Sequence, residues 1–153
     1  MTRPLVVLLS SPNLNLLGQR EPHIYGTATL ADLVSTARAA AEAHGLEIEH
    51  HQSDSEAVLV GEVHRSRGRA AAIIVNPGAV GHYGWSLHDA LASFDGPVVE
   101  LHISNPDARE PWRRTSVVTP VATGCISGFG GDGYRLAVEA VAHLLDSRRP
   151  DPP

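Results

Sequence analysis

The chain reads LVVLLSSPNLNLLGQREPHIYG over residues 5–26, and this stretch decides the fold. Its first five residues, Leu5 to Leu9, are all apolar, which is typical of a strand that is buried on both faces. The segment from Ser10 to Gly26 is polar, contains two glycines and is too irregular for a regular helix or strand. A polar segment directly after a buried strand is typical of a ligand site on an open α/β sheet.

The rest of the chain continues an alternation of strands and helices. Apolar runs predict further strands at 46–50, 71–75, 98–102 and 121–127. Apolar positions at helical spacing predict helices near 30–41, 57–64, 87–94 and 134–145. Thr29 with Asp32, and Ser53 with Glu56, predict capping boxes at the first two of these helices. Because right-handed crossovers join parallel strands, the pattern predicts a flavodoxin-like three-layer αβα sandwich with a five-stranded parallel sheet.

Length and composition limit the classes of protein to which the chain can belong. Its 153 residues fit a single domain over residues 1–147, followed by a flexible tail over 148–153. The net charge of −5 argues against a nucleic-acid partner, and the apolar runs are too short for a signal segment or membrane span. The chain contains no lysine, which excludes Schiff-base chemistry. The single Cys125 cannot form an internal disulfide, so we expect a cytoplasmic protein in which Cys125 is a small core residue.

Polar side chains follow three of the predicted strands. The first strand is followed by Asn13, Arg20 and Tyr25, and the third by Asn76, Gly78 and His82. The fourth strand is followed by His102, Ser104, Arg109 and Arg113. Glu100 precedes His102 by two residues and so shares its face of the strand. Because the carboxyl ends of parallel strands meet at one edge, these groups are expected to lie together. They suit an anionic, hydroxyl-rich small molecule that Arg and Asn hold and on which Tyr and His move protons.

These residues resemble the motifs of type II 3-dehydroquinate dehydratases. The opening motif NLNLLGxREPxxYG occupies residues 13–26, NPGA and a histidine occupy 76–82, and ELHISN occupies 100–105. Arg109, Glu110 and Arg113 follow, and the match extends from about residue 5 to 145. The resemblance implies cofactor-free, metal-free dehydration of 3-dehydroquinate to 3-dehydroshikimate in the shikimate pathway, by anti elimination through an enolate.

The resemblance also implies a role for each site residue. Tyr25 removes the proton next to the ketone, and because a phenol ordinarily ionises near pH 10, Arg20 and Arg113 are expected beside it. Asn13 holds a water at the enolate oxygen, and His102, oriented by Glu100, protonates the leaving hydroxyl. The substrate-binding set comprises Asn76, Gly78, His82, Asp89, Ile103, Ser104 and Arg113. Within that set, Asn76, Ser104 and the Ile103 N–H bind the carboxylate, and His82 and Arg113 bind ring hydroxyls.

Assembly and motion follow from the same resemblance. The family implies a homododecamer, a tetramer of trimers, in which Asp89 reaches a neighbouring subunit's site. The segment from Gly18 to Gly26 is expected to be a lid that brings Arg20 and Tyr25 over the substrate. The sequence departs from the family pattern at Ser11, Gly81, Gly84, His88 and Trp112. The two glycines predict a looser loop around His82, and His88 predicts a weaker trimer contact.

Two other readings of the sequence remain open, and two motifs are rejected. The looser loop allows a homologue that acts on an amino analogue of dehydroquinate, and the fold allows a non-catalytic flavodoxin-like binding protein.

The motif GxGxxG at 128–133 lacks the later strand and acidic residue of a dinucleotide site. The nine histidines show no metal-ligand spacing, and His50 and His51 point to opposite faces of a strand, so no metal site is predicted.

Overall fold

A five-stranded parallel sheet forms the centre of the molecule. The structure, a computed structural model, describes residues 2–149. The strands are β1 (Leu5–Ser10), β2 (Glu47–Gln52), β3 (Ala72–Asn76), β4 (Val98–His102) and β5 (Gly124–Ser127). They lie in the order β2-β1-β3-β4-β5, and every neighbouring pair is parallel. This order confirms the flavodoxin-like fold expected from the alternation of strands and helices.

Helices cover both faces of the sheet. They are α1 (Pro22–Tyr25), α2 (Leu30–Ala43), α3 (Glu56–Ser66), α4 (Trp85–Ala92) and α5 (Gly133–Ser147). Helices α2 and α5 pack together on one face, and α3 and α4 pack together on the other. Successive side chains of a strand point to opposite faces, so Val6 and Leu8 of β1 join the first core and Val7 and Leu9 join the second. Burial on both faces explains why β1 is apolar from Leu5 to Leu9.

The two predicted capping boxes had different outcomes. At α2, the Asp32 N–H donates to Thr29 Oγ1 at 3.2 Å and the Thr29 N–H donates to Asp32 Oδ2 at 2.9 Å, as predicted. At α3 the prediction was wrong, because the N-cap is Ser55, whose hydroxyl accepts from the Val58 N–H. Strand β2 continues to Gln52, opposite Ser10, and this pairing places Ser53 in the turn before the helix.

Strand β5 is shorter than the sequence predicted, and Cys125 is not in the core. The strand begins at Gly124, because Thr119–Val121 form a 3₁₀ turn around Pro120, which has no N–H to donate to a sheet. Cys125 lies on this edge strand and is exposed, so its expected core position was wrong.

The segments that follow β1, β3 and β4 meet at one edge of the sheet. After β1 the chain forms a 3₁₀ turn at Leu14–Leu16 and then α1, so the polar segment is less irregular than expected. After β4 the chain forms 3₁₀ turns at Pro106–Ala108 and Pro111–Arg114. The part of the expected tail at 150–153 lies outside the described residues. Within residues 2–149, each helix is too short or too polar to cross a bilayer.

Candidate active site

A cavity of about 40 Å³ lies at the carboxyl ends of the central strands. Its walls come from the segments after β1, β3 and β4, which the sheet order brings together. The lining residues are Leu14, Tyr25, Asn76, Gly78, His82, His102, Ile103, Ser104, Pro106, Arg109 and Arg113. Side chains separated by more than 80 positions in the chain therefore face one small space.

Two arginines hold the hydroxyl of Tyr25. Arg109 Nη1 donates to it at 2.9 Å and Arg20 Nη2 donates at 3.4 Å. Both guanidinium groups also lie near the ring, with Cζ at 5.3 Å and 4.6 Å from its centroid. The sequence placed Arg113 here instead of Arg109. In the structure Arg113 pairs with Glu110 and lies over the Trp112 ring.

Glu100 and His102 form a buried pair on one face of β4. His102 Nε2–H donates to Glu100 Oε2 at 2.5 Å. Glu100 is fully buried and also accepts from Ser116 Oγ at 2.8 Å and Thr119 Oγ1 at 2.5 Å. Burial pushes the pKa of Glu100 upward, but the hydrogen bonds from His102, Thr119 and Ser116 outweigh burial and hold the pKa below its ordinary value.

The hydrogen bond to Glu100 determines which ring nitrogen of His102 is available for proton transfer. Its Nε2 is committed to Glu100, and within residues 2–149 its Nδ1 has no hydrogen-bond partner. The ring borders the cavity. The arrangement therefore suits proton transfer through Nδ1, with Glu100 holding the ring in place. The sequence predicted Glu100 and His102 but missed Ser116 and Thr119, which lie in the irregular segment before β5.

Asn76, Gly78 and Ser104 make the polar floor of the cavity. Asn76 is buried and its Nδ2 donates to the Tyr134 hydroxyl at 3.3 Å. Ser104 Oγ accepts from Arg109 Nη1 at 3.2 Å, so one guanidinium group contacts both Ser104 and Tyr25. Gly78 has a φ of +52°, and a Cβ there would lie 2.7 Å from Ser11 Oγ. The positive φ favours glycine at that position, because an L side chain there is strained.

The loop that carries His82 is tightly packed. His82 Nδ1–H donates to the Thr115 carbonyl at 2.6 Å, and its ring meets the Trp112 ring edge-on at 5.2 Å. A Cβ on Gly81 would lie 2.8 Å from Pro77 Cγ, and one on Gly84 would lie 2.6 Å from Val80 Cγ1. The expectation of a looser loop was wrong, because the two glycines allow close packing.

Asn13 and Asp89 do not line this cavity. Asn13 is exposed, has a φ of 70° and donates its N–H to Asp54 Oδ1 at 3.0 Å. Asp89 is exposed on α4. Arg20 reaches the site only through Tyr25. The structure thus brings most of the predicted site residues together, but Asn13 and Asp89 do not contribute to the cavity lining.

Two groups of three potential metal ligands occur in the described part of the chain: Glu100, His102 and Cys125, and Glu49, His51 and Glu62. In the second group, Glu49 is bound by Arg69 and Glu62 by Arg65. Spacing along the sequence did not reveal either group, because each combines residues from two different elements.

Comparisons with known proteins agree with this architecture. The family model described as "Dehydroquinase class II" matches residues 4–142. The "3-dehydroquinate dehydratase 2" of Pseudomonas putida is 47% identical over 146 residues, which cover 95% of this chain and 98% of that protein. The "Catabolic 3-dehydroquinase" of Penicillium rubens is 48% identical over 136 residues, which cover 89% and 88% of the two chains.

Solved structures give the same result. The crystal structure of type II dehydroquinase from Propionibacterium acnes superposes with a TM-score of 0.87 at 40% identity, covering 91% of this chain and 96% of that one. The type II dehydroquinase from Butyrivibrio crossotus superposes with a TM-score of 0.89 at 34% identity, covering 92% and 99%. The model match, the sequence identities and the shared fold all extend over nearly the whole chain, which therefore belongs to the class II dehydroquinase family.

Proposed function

We propose that this protein is a 3-dehydroquinate dehydratase that forms 3-dehydroshikimate by anti elimination of water through an enolate. The observation that carries the proposal is that two groups able to move protons line one cavity. One is a tyrosine hydroxyl that two guanidinium groups contact, and the other is an imidazole that a buried carboxylate holds. These are a base and an acid held on separate elements, as an elimination requires.

Tyr25 is the proposed base. The positive charges of Arg109 and Arg20 stabilise the phenolate that takes the proton next to the ketone. In the proposal, Asn13 holds the water that stabilises the enolate oxygen. Arg109 replaces Arg113 as the second cation at the phenol. Arg113 keeps its proposed role at a ring hydroxyl, because it lines the cavity beside His82.

His102 is the proposed acid. Glu100 holds the imidazole through Nε2, and Nδ1 delivers a proton to the leaving hydroxyl. The substrate carboxylate is assigned to Asn76, Ser104 and the Ile103 N–H, all at the cavity floor. Because anions bind where several fixed donors converge, this floor orients the ring between Tyr25 and His102.

We propose that the cavity widens when the substrate enters. An engineered cavity of about 150 Å³ accommodates benzene, whereas this one measures about 40 Å³. A substituted six-membered ring therefore enters only if a wall moves. The proposed moving wall is the segment between Gly18 and Gly26, whose φ angles of +89° and +81° favour glycine at both ends.

The test is an assay of purified protein with 3-dehydroquinate and EDTA, following the ultraviolet absorbance of the conjugated enone. We expect turnover that survives EDTA and falls by about 10²–10⁴-fold in Tyr25→Phe. Tyr83→Phe is the matched control, because Tyr83 is exposed and lies outside the cavity lining. Retained turnover in Tyr25→Phe contradicts the base assignment. Absence of turnover in folded wild-type protein contradicts the function and favours a binding role.

His102→Ala tests the acid separately. We expect a large fall in kcat with little change in KM, because the proton is needed at the transition state and not for binding. An unchanged kcat removes His102 from the acid role.

The proposal extends to assembly and location. We infer a homododecamer, a tetramer of trimers, in which Asp89 reaches a neighbouring subunit's site. Trp85, the first residue of α4, is 63% exposed, which supports a protein interface there. Sedimentation should give about twelve times 16.3 kDa, and a mass that falls on dilution contradicts a fixed dodecamer.

We also infer one domain over residues 1–147, a cytoplasmic location, and no nucleic-acid or membrane partner, in line with one cysteine and a charge of −5.

Relatives carry both "3-dehydroquinate dehydratase" and "Catabolic 3-dehydroquinase" as names, and we propose the biosynthetic shikimate role. The amino-analogue alternative rested on a loose loop at Gly81 and Gly84, and the close packing there removes that argument.

A further inference from the structure

Cys125 lies beside the Glu100–His102 pair. In the β4–β5 register Cys125 is opposite Glu100, and Ser127 is opposite His102. Side chains at paired positions of neighbouring strands point to the same face of a sheet. The thiol therefore shares a face with the carboxylate and the imidazole, although it is 23 positions from His102 in the chain.

The three groups come close enough to share one ion. A carboxylate oxygen of Glu100, a ring nitrogen of His102 and Sγ of Cys125 all lie within 4.8 Å of one another. In tetrahedral zinc sites, Zn–S bonds of about 2.3 Å and Zn–N bonds of about 2.0 Å set ligand atoms about 3.5 Å apart. Rotation of the Cys125 and His102 side chains can supply a contraction of about 1 Å toward that spacing.

A second cavity gives an ion access to these atoms. It measures about 260 Å³ and adjoins the substrate cavity, because His102 and Arg113 border both. Glu100, His102 and Cys125 all border it, together with Asp107. The space accommodates a fourth ligand, either water or the Asp107 carboxylate.

Two carboxylates near Cys125 favour a cation at this site. Glu100 and Asp107 border the second cavity together with the thiol. Their negative charges attract a divalent cation, and sulfur and imidazole nitrogen are ligands that Zn²⁺ prefers.

We propose that Glu100, His102 and Cys125 form a binding site for Zn²⁺ that inhibits the enzyme when it is occupied. Binding releases the Cys125 thiol proton and forms a Zn–S bond. The ring changes tautomer, so that its Nε2 proton moves to Nδ1. A Zn–N bond at Nε2 and a Zn–O bond to Glu100 then replace the hydrogen bond between those two residues. With Zn²⁺ at Nε2 the ring can no longer become an imidazolium, so it is a poor proton donor to the leaving hydroxyl.

Only the inhibition rests on the proposed function; the binding does not. The cluster of Glu49, His51 and Glu62 is the natural control site, because Arg65 and Arg69 already neutralise its carboxylates. A cation there has to displace two guanidinium groups. It also contains no sulfur, so a thiophilic ion has less to gain from it.

The direct test is a titration of the full chain with Cd²⁺ in chelator-free buffer, following the ultraviolet sulfur-to-cadmium charge-transfer band. We expect the band to saturate at one equivalent in the wild type, to disappear in Cys125→Ala and to persist in His51→Asn. The activity test uses Zn²⁺. We expect inhibition that EDTA reverses, a half-inhibitory concentration at least about tenfold higher in Cys125→Ala, and no inhibition by Mg²⁺.

Each outcome decides a separate statement. A wild-type protein without the Cd²⁺ band overturns the site. A band without Zn²⁺ inhibition keeps the site and overturns its inhibitory role, as does equal inhibition of Cys125→Ala. We expect turnover of Cys125→Ala without metal to equal that of the wild type. If the wild type in EDTA has no dehydratase activity, the proposed function fails, while the Cd²⁺ titration still decides whether the site exists.

Discussion

We expect the two arginines at the Tyr25 hydroxyl to stabilise its phenolate unequally. Arg109 is 0.5 Å closer than Arg20, at 2.9 Å against 3.4 Å, and it also fixes Ser104. A hydrogen bond to a charged group contributes about 1.5–3 kcal/mol. We therefore expect Arg109→Met to lower kcat by about 10- to 100-fold without changing the unfolding temperature.

The control for this variant is Arg67→Met, because Arg67 is exposed at the end of α3, far from the cavity. Steady-state kinetics with 3-dehydroquinate measures both variants. Equal loss in the two, or no loss in Arg109→Met, would show that Arg109 does not support the base.

Thr119 helps to lower the pKa of Glu100. Its hydroxyl donates to Glu100 Oε1 at 2.5 Å, and this bond helps to lower the pKa of that carboxyl. Thr119→Val removes the donor and leaves the buried carboxyl one hydrogen bond short, so the pKa of Glu100 rises. We expect the acid limb of the kcat profile to move to higher pH in this variant.

The exposed Thr36→Val is the matched control and should leave that limb in place. A profile of kcat against pH from 4 to 8 measures the difference. An acid limb at the same pH in Thr119→Val and the wild type would remove Glu100 from the proton-transfer pair.

The residue types and the strand ends were predictable, whereas the side-chain partners were not. Tyr25, His102 and Glu100 stand out because polar groups follow or end apolar strands. The choice between Arg109 and Arg113 depends on how 3₁₀ turns at Pro106–Ala108 and Pro111–Arg114 orient two long side chains. Residue spacing carries no information about that orientation.

Among the elements, the turn between β3 and α4 depends on the absence of side chains. A Cβ on Gly84 would lie 2.6 Å from Val80 Cγ1 and 2.8 Å from the Val80 carbonyl, and one on Gly81 would meet the Pro77 ring at 2.8 Å. Overpacking of this kind costs about 1–3 kcal/mol. We expect Gly84→Ala to lower the free energy of unfolding by that amount, measured by urea denaturation.

Gly124→Ala is the control, because a Cβ at Gly124 meets no atom within 4 Å and its φ is not positive. Its effect should stay within about 0.5 kcal/mol. Equal stability of Gly84→Ala and Gly124→Ala would mean that the turn tolerates a side chain after all.

Element boundaries were predicted where local chemistry determines them. The capping box at α2 is fixed by two side chains, Thr29 and Asp32, and it was predicted correctly. The start of α3 depends on how far β2 pairs with β1, which is a long-range contact, and that boundary was missed. The start of β5 likewise depends on Pro120 and on pairing with Val98 through Thr123.

For the molecule as a whole, a partly buried neutral histidine makes stability depend on pH. His50 Nε2 and Ser10 Oγ are 2.9 Å apart. Burial, and then the positive charges of Arg38 and His51, lower the pKa of His50 from 6.5 to about 4. The unfolded chain therefore binds a proton below about pH 6.5, whereas the folded chain does not until about pH 4. His50 thus contributes stability above pH 6.5 that is lost as the pH falls toward 4.

We expect the free energy of unfolding to fall by up to about 2 kcal/mol from this residue between pH 7.5 and 5, less the screening that a part-exposed ring receives. His50→Asn should lose correspondingly less stability over that interval, and His64→Asn, with an exposed ring, should behave as the wild type. Urea denaturation at both pH values, at one protein concentration, measures the change. Parallel losses in all three proteins contradict the assignment.

The overall topology was the most predictable level. A fully apolar β1, flanked by helices with one apolar face each, permits few arrangements once crossovers are right-handed. Edge strands are harder to predict, because their apolar residues need not be buried. Cys125 on β5 is the case in point.

The proposed base and the proposed acid differ in how firmly the fold holds them. His102 belongs to a strand with neighbours on both sides, whereas Tyr25 belongs to a four-residue helix between two glycines. In the proposed lid motion, a ring-sized inhibitor beneath Tyr25 leaves only by the same backbone rotation that admits it. We therefore expect inhibitors to differ chiefly in residence time, and we expect a compound that holds residues 18–26 open to stop turnover without contacting His102.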